Sequence, residues 1–559
     1  MNTAVQHDDF FSISRKIVES FIQSVVAVDD RMVFDPRSPA SEAGVLLEPD
    51  NDDSDLGIVV ESVISVESPE RDEHKLHYQD LSSAFAKKGI VCSGFQPLSD
   101  PVLTKQSIVE SSKNADITIL DWQMDNVQAG GTLATAAILD IINSDLREGG
   151  RLRLITIYTA EDSEVVLRAL ETGLSAHGAV RGTGFIAFSK EGLRFCKIDV
   201  VSKAIIEKEL SNQVIVSFTK LTAGLLSNAA LSAISDMRSK THNILYKFNK
   251  SLDPAYLSHV LGLISSPGMR EQAHEVAFDY TVDLISEEIK SQLQTSEKVK
   301  KSLSRDNLSL WPGHVNSNNQ DDYFGVKVGA LEEVKFGNHK MVGFLQITTK
   351  DDLVNVLNAD PKIAEHAPEG PEEHFENQPV QLSAGEESIN QHLELSALEC
   401  IRRDVKTSLP TPPVLKQGTI LKKGSGYYVC IQPLCDSVRL TCSTEFTFLR
   451  VDKVTNVDRP FSHVIRSSTG YVRLNINPSS KKLRIIKFSP CNILHVVKAA
   501  GSGNGDYLFT SGDGDYNWCG EFKQPISQAI TTSVAASMSR VGFDTFEWLR
   551  IKARQASNS

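Results

Sequence analysis

Apolar and polar positions change rhythm several times along the chain. Residues 12–28 begin with helical spacing and run into Ser24-Val25-Val26-Ala27-Val28, an apolar stretch that stops at Asp29-Asp30. Its length suits a buried strand. Helical spacing returns in LHYQDLSSAFAKKG (76–89), where Leu76, Leu81 and Phe85 share a face and Gly89 supplies a stop. The pattern then predicts a strand at 90–95, a helix near 104–113, a strand at 115–120, a helix near 131–144, a strand at 152–158, a helix near 161–172 and a strand at about 193–202. Strands alternating with helices in this way predict a doubly wound parallel sheet, because parallel neighbours need crossover connections. In such sheets the functional crevice lies outside the carboxyl ends of the strands.

Beyond residue 205 the period stays helical to about residue 300, with Leu221, Leu225, Ala229 and Leu231, then Ile244, Leu245 and Phe248. Asp253-Pro254 starts a further helix there. Residues 364–388 hold seven Glu, no Lys or Arg, and three Pro, the composition of a linker. A helix at 389–405 precedes a β-rich stretch, 415–522, with strands such as GYYVCIQPL and EFTFLRV set between turn residues. Gly542 would stop a helix, and Asp544 with Glu547 forms a capping box for the last one. The expected fold class is therefore an α/β doubly wound parallel sheet, a helical region, and a C-terminal β-rich α+β region. The expected divisions are 1–225 with an acidic insertion at 35–75, a mainly helical 226–363, the acidic linker 364–388, and 389–559.

Length and composition agree with this division. At roughly 150 residues per domain, 559 residues make about three or four domains. No run of about 18 apolar residues suggests a transmembrane helix, and the N-terminus, MNTAVQHDDFFSISRK, lacks the features of a signal peptide, so a cytoplasmic location is expected. The eight cysteines are sparse, and Cys430, Cys435 and Cys442 lack CxxC spacing, which argues against a disulfide scaffold or zinc ribbon. Of the net charge of −13, a local −10 falls between Asp35 and His74, where twelve acids meet two arginines. That stretch reads as a solvated insertion, and the near-neutral remainder offers no broad footprint for nucleic acid.

Polar residues at the strand ends form a coherent set. The first strand ends in Asp29-Asp30, the third in Asp121 (ITILDWQM), the fourth in Thr159-Ala160, and a later one in Lys203 (IDVVSK). All would face one crevice. Three carboxylates suit Mg²⁺, which prefers oxygen ligands, and the ion would stabilise phosphoryl oxygens beside an Asp121 nucleophile.

This ordered set resembles the receiver domain of two-component response regulators, over about residues 17–225. The resemblance implies that Asp121 is the phosphoacceptor and that Asp29, Asp30, Asp121 and the Gln123 backbone carbonyl bind Mg²⁺. It also implies that Thr159 and Lys203 contact the phosphoryl group, and that the partner is a sensor histidine kinase. Three departures stand out. The insertion at 35–75 replaces a short loop. The 44 positions from Thr159 to Lys203 are about twice the usual spacing, which leaves Lys190 and Lys197 as alternatives. Val200 stands where the family carries an aromatic switch residue.

Other candidates read as structural. His242 lacks the neighbours of a phosphotransfer histidine and is read as a solvent-facing helical residue. His366 and His374 belong to the acidic linker, Asp125 to a loop or cap, Trp122 to packing, and Cys430 and Cys435 to a strand. GSGNGDY (501–507) and SGDGDYNWCG (511–520) lack complete phosphate- or calcium-loop spacing and read as hairpin turns. Two further stretches, 427–440 and 538–550, are similar to those of large receiver proteins encoded beside sensor kinases, namely the receiver-only proteins of the Detocs anti-phage phosphorelay. That similarity implies a phosphate buffer with no enzyme activity beyond accepting phosphate, and a separate effector with its own receiver. The alternative is a nonenzymatic scaffold with a degenerate receiver.

Overall fold

Val25 and Ala27 point to one side of the first strand and Val26 and Val28 to the other, and both sides are buried. This is the signature of a strand covered by helices on two faces. The computed structural model describes residues 9–34, 75–124, 130–267, 269–270, 273–315, 323–328, 333–358, 380–383, 388–405, 411–456, 459–491, 495–502 and 506–538. The chain divides into two compact units. One comprises 1–245, 288–322 and 338–352; the other comprises 246–287, 323–337 and 353–559.

The first unit opens with α1 (Phe10–Phe21), capped by Asp9, whose carboxylate accepts the Ser12 N–H at 2.6 Å. Then come β1 (Ser24–Val28), β2 (Met32–Val33), β3 (Leu76–His77), α2 (Tyr78–Ala86), β4 (Val91–Phe95), α3 (Pro101–Asn114), β5 (Ile117–Leu120), α4 (Thr132–Arg147), β6 (Arg153–Thr159) and α5 (Ser163–Gly173). They are followed by β7 (Ala179–Gly182), β8 (Phe185–Phe188), β9 (Cys196–Ser202), α6 (Glu207–Thr222) and α7 (Leu225–Lys247). The main sheet has the order β4-β1-β5-β6-β9-β8-β7. Its first five strands are parallel and correspond to a 2-1-3-4-5 winding. One face packs against α1, α2 and α6 through Val18, Phe21, Phe85, Leu210 and Phe218. The other packs against α3, α4 and α5 through Ile108, Ile138, Ile142 and Leu167.

Two features depart from the sequence expectations in this unit. Leu76-His77 form a short strand beside Met32-Val33 before α2 begins, so the helix starts later than its apolar period suggests. Residues 179–188 form an antiparallel hairpin, turning at Thr183-Gly184 with Gly184 at φ +78°. It pairs with β9. The doubled spacing between Thr159 and Lys203 therefore contains a complete sheet extension, while Lys203 keeps its place at the end of the fifth parallel strand.

Helices 225–247, 253–265, 273–294, 297–302, 305–315, 338–346 and 350–358 make up the helical middle of the chain. Strands at 323–328 and 334–337 interrupt it and form a three-stranded sheet with Val380–Ser383. The expected linker thus contains a strand, whose alternation is too short to show against its acidic surroundings. In the C-terminal region, strands 419–423, 426–430, 444–454, 483–488, 506–511 and 514–522 pair in a closed antiparallel ring. Phe446, Phe448, Phe488, Phe509 and Trp518 fill one of its cores. Residues 511–514 make a hairpin turn, as their glycines suggest. Cys430 is buried, but Cys435 is exposed in a 3₁₀ turn beyond the strand, so it does not pack as expected. The insertion from 35 to 74, Asp125, His366, His374 and the capping residues at 542–547 lie outside the described residues.

Candidate functional site

Backbone hydrogen bonds continue the parallel ladders one residue past the strand ends and fix the side chains that follow. The Asp29 N–H donates to the Phe95 carbonyl (3.4 Å), the Asp121 N–H to Val28 (2.8 Å) and the Lys203 N–H to Thr159 (2.7 Å). The side chains of Asp29, Asp121 and Lys203 thereby meet over the carboxyl edge of the sheet. Lys203 Nζ lies 2.7 Å from Asp29 Oδ2 and 2.9 Å from Asp121 Oδ2. Asp29, Asp121, Thr159 and Lys203 are all buried, and Asp30 is half-buried.

The surroundings hold each group in place. Asp121 Oδ1 accepts the Trp122 N–H at 2.7 Å, and Oδ2 accepts from Lys203. Asp29 Oδ1 accepts the Arg31 N–H at 2.8 Å. Thr159 Oγ1 accepts the Glu161 N–H at 3.1 Å, and Glu161 in turn accepts from the Gln123 side-chain amide. Tyr158 donates its hydroxyl to the Ile205 carbonyl at 2.5 Å, and its ring centroid is 6.0 Å from Lys203 Nζ. Tyr158 carries no sequence signal of this role, since an aromatic residue in a buried strand reads as packing. The Trp122 backbone bond is equally silent, because nearly any residue supplies an N–H.

Burial and neighbouring charge together shift the titration of all three groups. Burial pushes the Asp121 carboxyl up to about 7, against the pull of Lys203 and with the push of Asp29. Burial raises Asp29 too, again against Lys203. Burial alone would lower the lysine, but the two carboxylates more than offset it and hold its ammonium above the ordinary lysine range.

Asp29, Asp30 and Asp121 each bring a carboxylate oxygen within 4.8 Å of the others. Asp29 Oδ2 is buried with the Lys203 ammonium 2.7 Å away. A donor set of three carboxylates fits a small hard cation.

The alternative lysines lie elsewhere. Lys197 Nζ pairs with Asp199 (2.8 Å) and Ser217 (3.0 Å), beside the Phe185 ring. It is six residues back along β9, roughly 20 Å from the carboxyl edge. Lys190 is exposed in the connection leading into the amino end of β9. Val200 is buried opposite Ile157, in the core beneath α4 and α5. His242 is exposed on α7.

A 2-1-3-4-5 parallel sheet with an acidic pocket and a lysine at its carboxyl edge defines a doubly wound domain of the receiver class. Residues 21–201 match the family model of the response receiver domain, and this part of the chain belongs to the response-regulator receiver family. Members of that family generally act as phosphoacceptors served by a phosphodonor such as a histidine kinase, and typically bind Mg²⁺. The match ends at residue 201, two positions before Lys203. No curated protein and no solved structure matches the chain. Among the described residues, no helix is long and apolar enough to cross a membrane.

Proposed function

We propose that the chain takes a phosphoryl group from a partner sensor histidine kinase onto Asp121, and buffers phosphate in a bacterial anti-phage phosphorelay whose separate effector has its own receiver. The observation that supports this most is the convergence of Asp29, Asp121 and Lys203 in one buried cluster. Asp29, Asp30 and Asp121, with the Gln123 carbonyl, would hold Mg²⁺. When bound, the ion offsets negative charge on the carboxylates and on the phosphoryl oxygens.

In the transfer, an Asp121 carboxylate oxygen attacks phosphorus. The new P–O bond forms as the P–N bond to the donor imidazole breaks, and the electron pair of that bond stays on the imidazole nitrogen. Lys203 then pairs with the phosphoryl oxygens. The Thr159 hydroxyl, which accepts one hydrogen bond already, keeps its proton to donate to the same group. Val200 supports buffering over transmission, because a buried valine has no aromatic ring to swing between two positions.

Label transfer from phosphorylated cognate kinase with Mg²⁺ tests the chemistry. Wild type becomes labelled and Asp121→Asn does not; equal labelling of both overturns the assignment. Growth tests the buffering role. Asp121→Asn, expressed with intact kinase and effector, slows growth of uninfected cells, and inactivating the kinase relieves this. Normal growth with lost protection would instead indicate transmission, and normal growth with full protection a scaffold.

A further inference from the structure

In the C-terminal ring, the strand Asp506–Ser511 changes partner along one of its edges. Ser511 pairs with Phe488 of the strand 483–488, whereas Asp506, Tyr507 and Leu508 pair with Ser502, Gly501 and Ala500. Phe509 and Thr510 have no partner on that edge among the described residues, although the opposite edge is paired from Leu508 to Ser511. The cause is in the sequence. Continuing the first ladder would set Ser489 opposite Thr510 and Pro490 opposite Phe509, and proline has no N–H to donate. The wall therefore opens where one strand has ended and the next has not begun.

The opening is a cavity of about 390 Å³, within the range of roughly 300–1,000 Å³ typical of small-molecule sites. Its lining differs from one strand to the next. The strand 483–488 and the segment leading into 500–502 contribute Lys487 and Lys498, both exposed, and neither ammonium has an ion pair or hydrogen bond to a described residue. The strand 506–511 contributes Thr510 and Ser511, whose hydroxyls donate to Asp515 (2.7 Å) and Asp513 (2.6 Å). With its proton committed, each hydroxyl has acceptor lone pairs left to offer. Asp513 is itself paired with Lys423 at 3.1 Å, and Asp515 sits on the neighbouring strand 514–522, across Thr510 from both lysines. Val497 and Leu508 add apolar surface.

The surrounding stretch is charged to match. Residues 439–498 hold eleven Lys and Arg against three Asp and Glu, a local +8 in a chain of net −13. We propose that the cavity binds a small phosphate ester of a hydroxylated carbon skeleton, of the size of a sugar phosphate. Its phosphate lies between Lys487 and Lys498, and its hydroxyls donate to Thr510 and Ser511. A phosphate monoester carries about −1.5 to −2 charge at pH 7, which suits two ammonium groups, and lysine meets it as a point charge. A bare anion would leave the two acceptors unused. The local excess of positive charge also raises the concentration of such a ligand at the cavity. This site is separate from the phosphoryl transfer proposed for Asp121 and does not depend on it.

Calorimetric titration and hydrogen exchange on the full chain in chelator test this, with ribose 5-phosphate, glucose 6-phosphate, the parent sugars and inorganic phosphate as probes. At least one ester saturates the protein below about 10 mM and binds more tightly than its sugar or inorganic phosphate. Lys487→Gln with Lys498→Gln weakens that ester by at least about tenfold and leaves the melting temperature unchanged. Thr510→Val weakens the ester but not inorganic phosphate. Amides of 497–500 and 508–511 gain protection when the ester binds. The proposal is overturned if neither ester saturates, if inorganic phosphate binds as tightly as the ester, or if the lysine variant keeps its affinity. A Thr510→Val loss shared equally by inorganic phosphate overturns it as well. If the lysine variant does not fold, wild-type exchange decides alone, and protection that appears elsewhere, or nowhere, rejects the site.

Discussion

Lys203 Nζ lies 2.7 Å from Asp29 Oδ2, slightly closer than the 2.9 Å that separates it from Asp121 Oδ2. One buried ammonium thus serves two buried carboxylates. Replacing it by methionine keeps the volume but leaves those carboxylates without a counter-charge. We expect Lys203→Met to lower stability by about 3–5 kcal/mol in chelator. Mg²⁺ should recover part of the loss. Urea unfolding with and without the ion checks this, and a loss no larger than a surface substitution's roughly 0.5 kcal/mol would contradict the shared pairing.

The raised carboxyl of Asp121 sets a pH window for the metal-free protein. Its folded value is about 7, against about 3.8 for an unperturbed aspartate. The unfolded chain therefore releases the proton first. The stabilisation is complete below about pH 4, declines as pH rises, and is gone above about pH 7, with a slope of at most about 1.4 kcal/mol per pH unit. Asparagine does not titrate. The melting temperature of Asp121→Asn relative to wild type should accordingly rise from pH 4 to pH 7.5 in chelator, and parallel curves would refute the shift.

Asp30 is half-buried beside Asp29 and Asp121, and under the proposed function it is a metal ligand. Asp30→Asn should weaken Mg²⁺ binding by at least about tenfold, equivalent to about 1.4 kcal/mol, while leaving metal-free stability nearly unchanged. Calorimetric titration measures the first and thermal melting the second. Unchanged affinity would remove Asp30 from the set.

At the amino end of β6, Arg153 is fully enclosed. Its Nε and Nη2 donate to Asp145 at 2.9 and 2.7 Å, and its Nη1 to the Ser112 carbonyl at 2.7 Å. This fork ties α3, α4 and β6 together below the site. Asp145→Ala should cost about 3–5 kcal/mol, because it strands a buried charge. A double replacement of Arg153 and Asp145 by apolar residues should cost less than Asp145→Ala alone. Additive losses in a double-mutant cycle would show that the two act independently.

Gly131 begins α4 with φ +69°, and a Cβ there would lie 2.1 Å from the Trp122 ring. Gly131→Ala must therefore move the indole next to Asp121. A destabilisation of about 1–3 kcal/mol and a shifted tryptophan emission are expected. An unaltered spectrum would mean that the loop adjusts instead.

Much of the receiver unit was readable because its strands are apolar on both faces and end abruptly in aspartate, threonine or lysine. Asp29, Asp121 and Lys203 come together through strand order, which the alternation of strands and helices already implied. What stayed hidden was of two kinds. The hairpin at 179–188 has strands of four residues, AVRG and FIAF, too brief for a period to emerge around a Thr-Gly turn. The contributions of Tyr158 and the Trp122 amide depend on backbone partners brought near only by the folded sheet. In the C-terminal region the strands were visible, but their closure into a ring rests on pairs such as Phe488 with Ser511, which no local pattern encodes.

The hairpin also changes the standing of the strand that delivers the lysine. With β6 on one side and β8 on the other, β9 is an interior strand, and the exposed margin of the sheet passes to the short β7. Fraying begins at margins, where one ladder must break; releasing β9 requires breaking two. The second ladder reaches Lys197–Asp199, so the amino half of β9 is held on both sides while Val201, Ser202 and the Lys203 amide are held by β6.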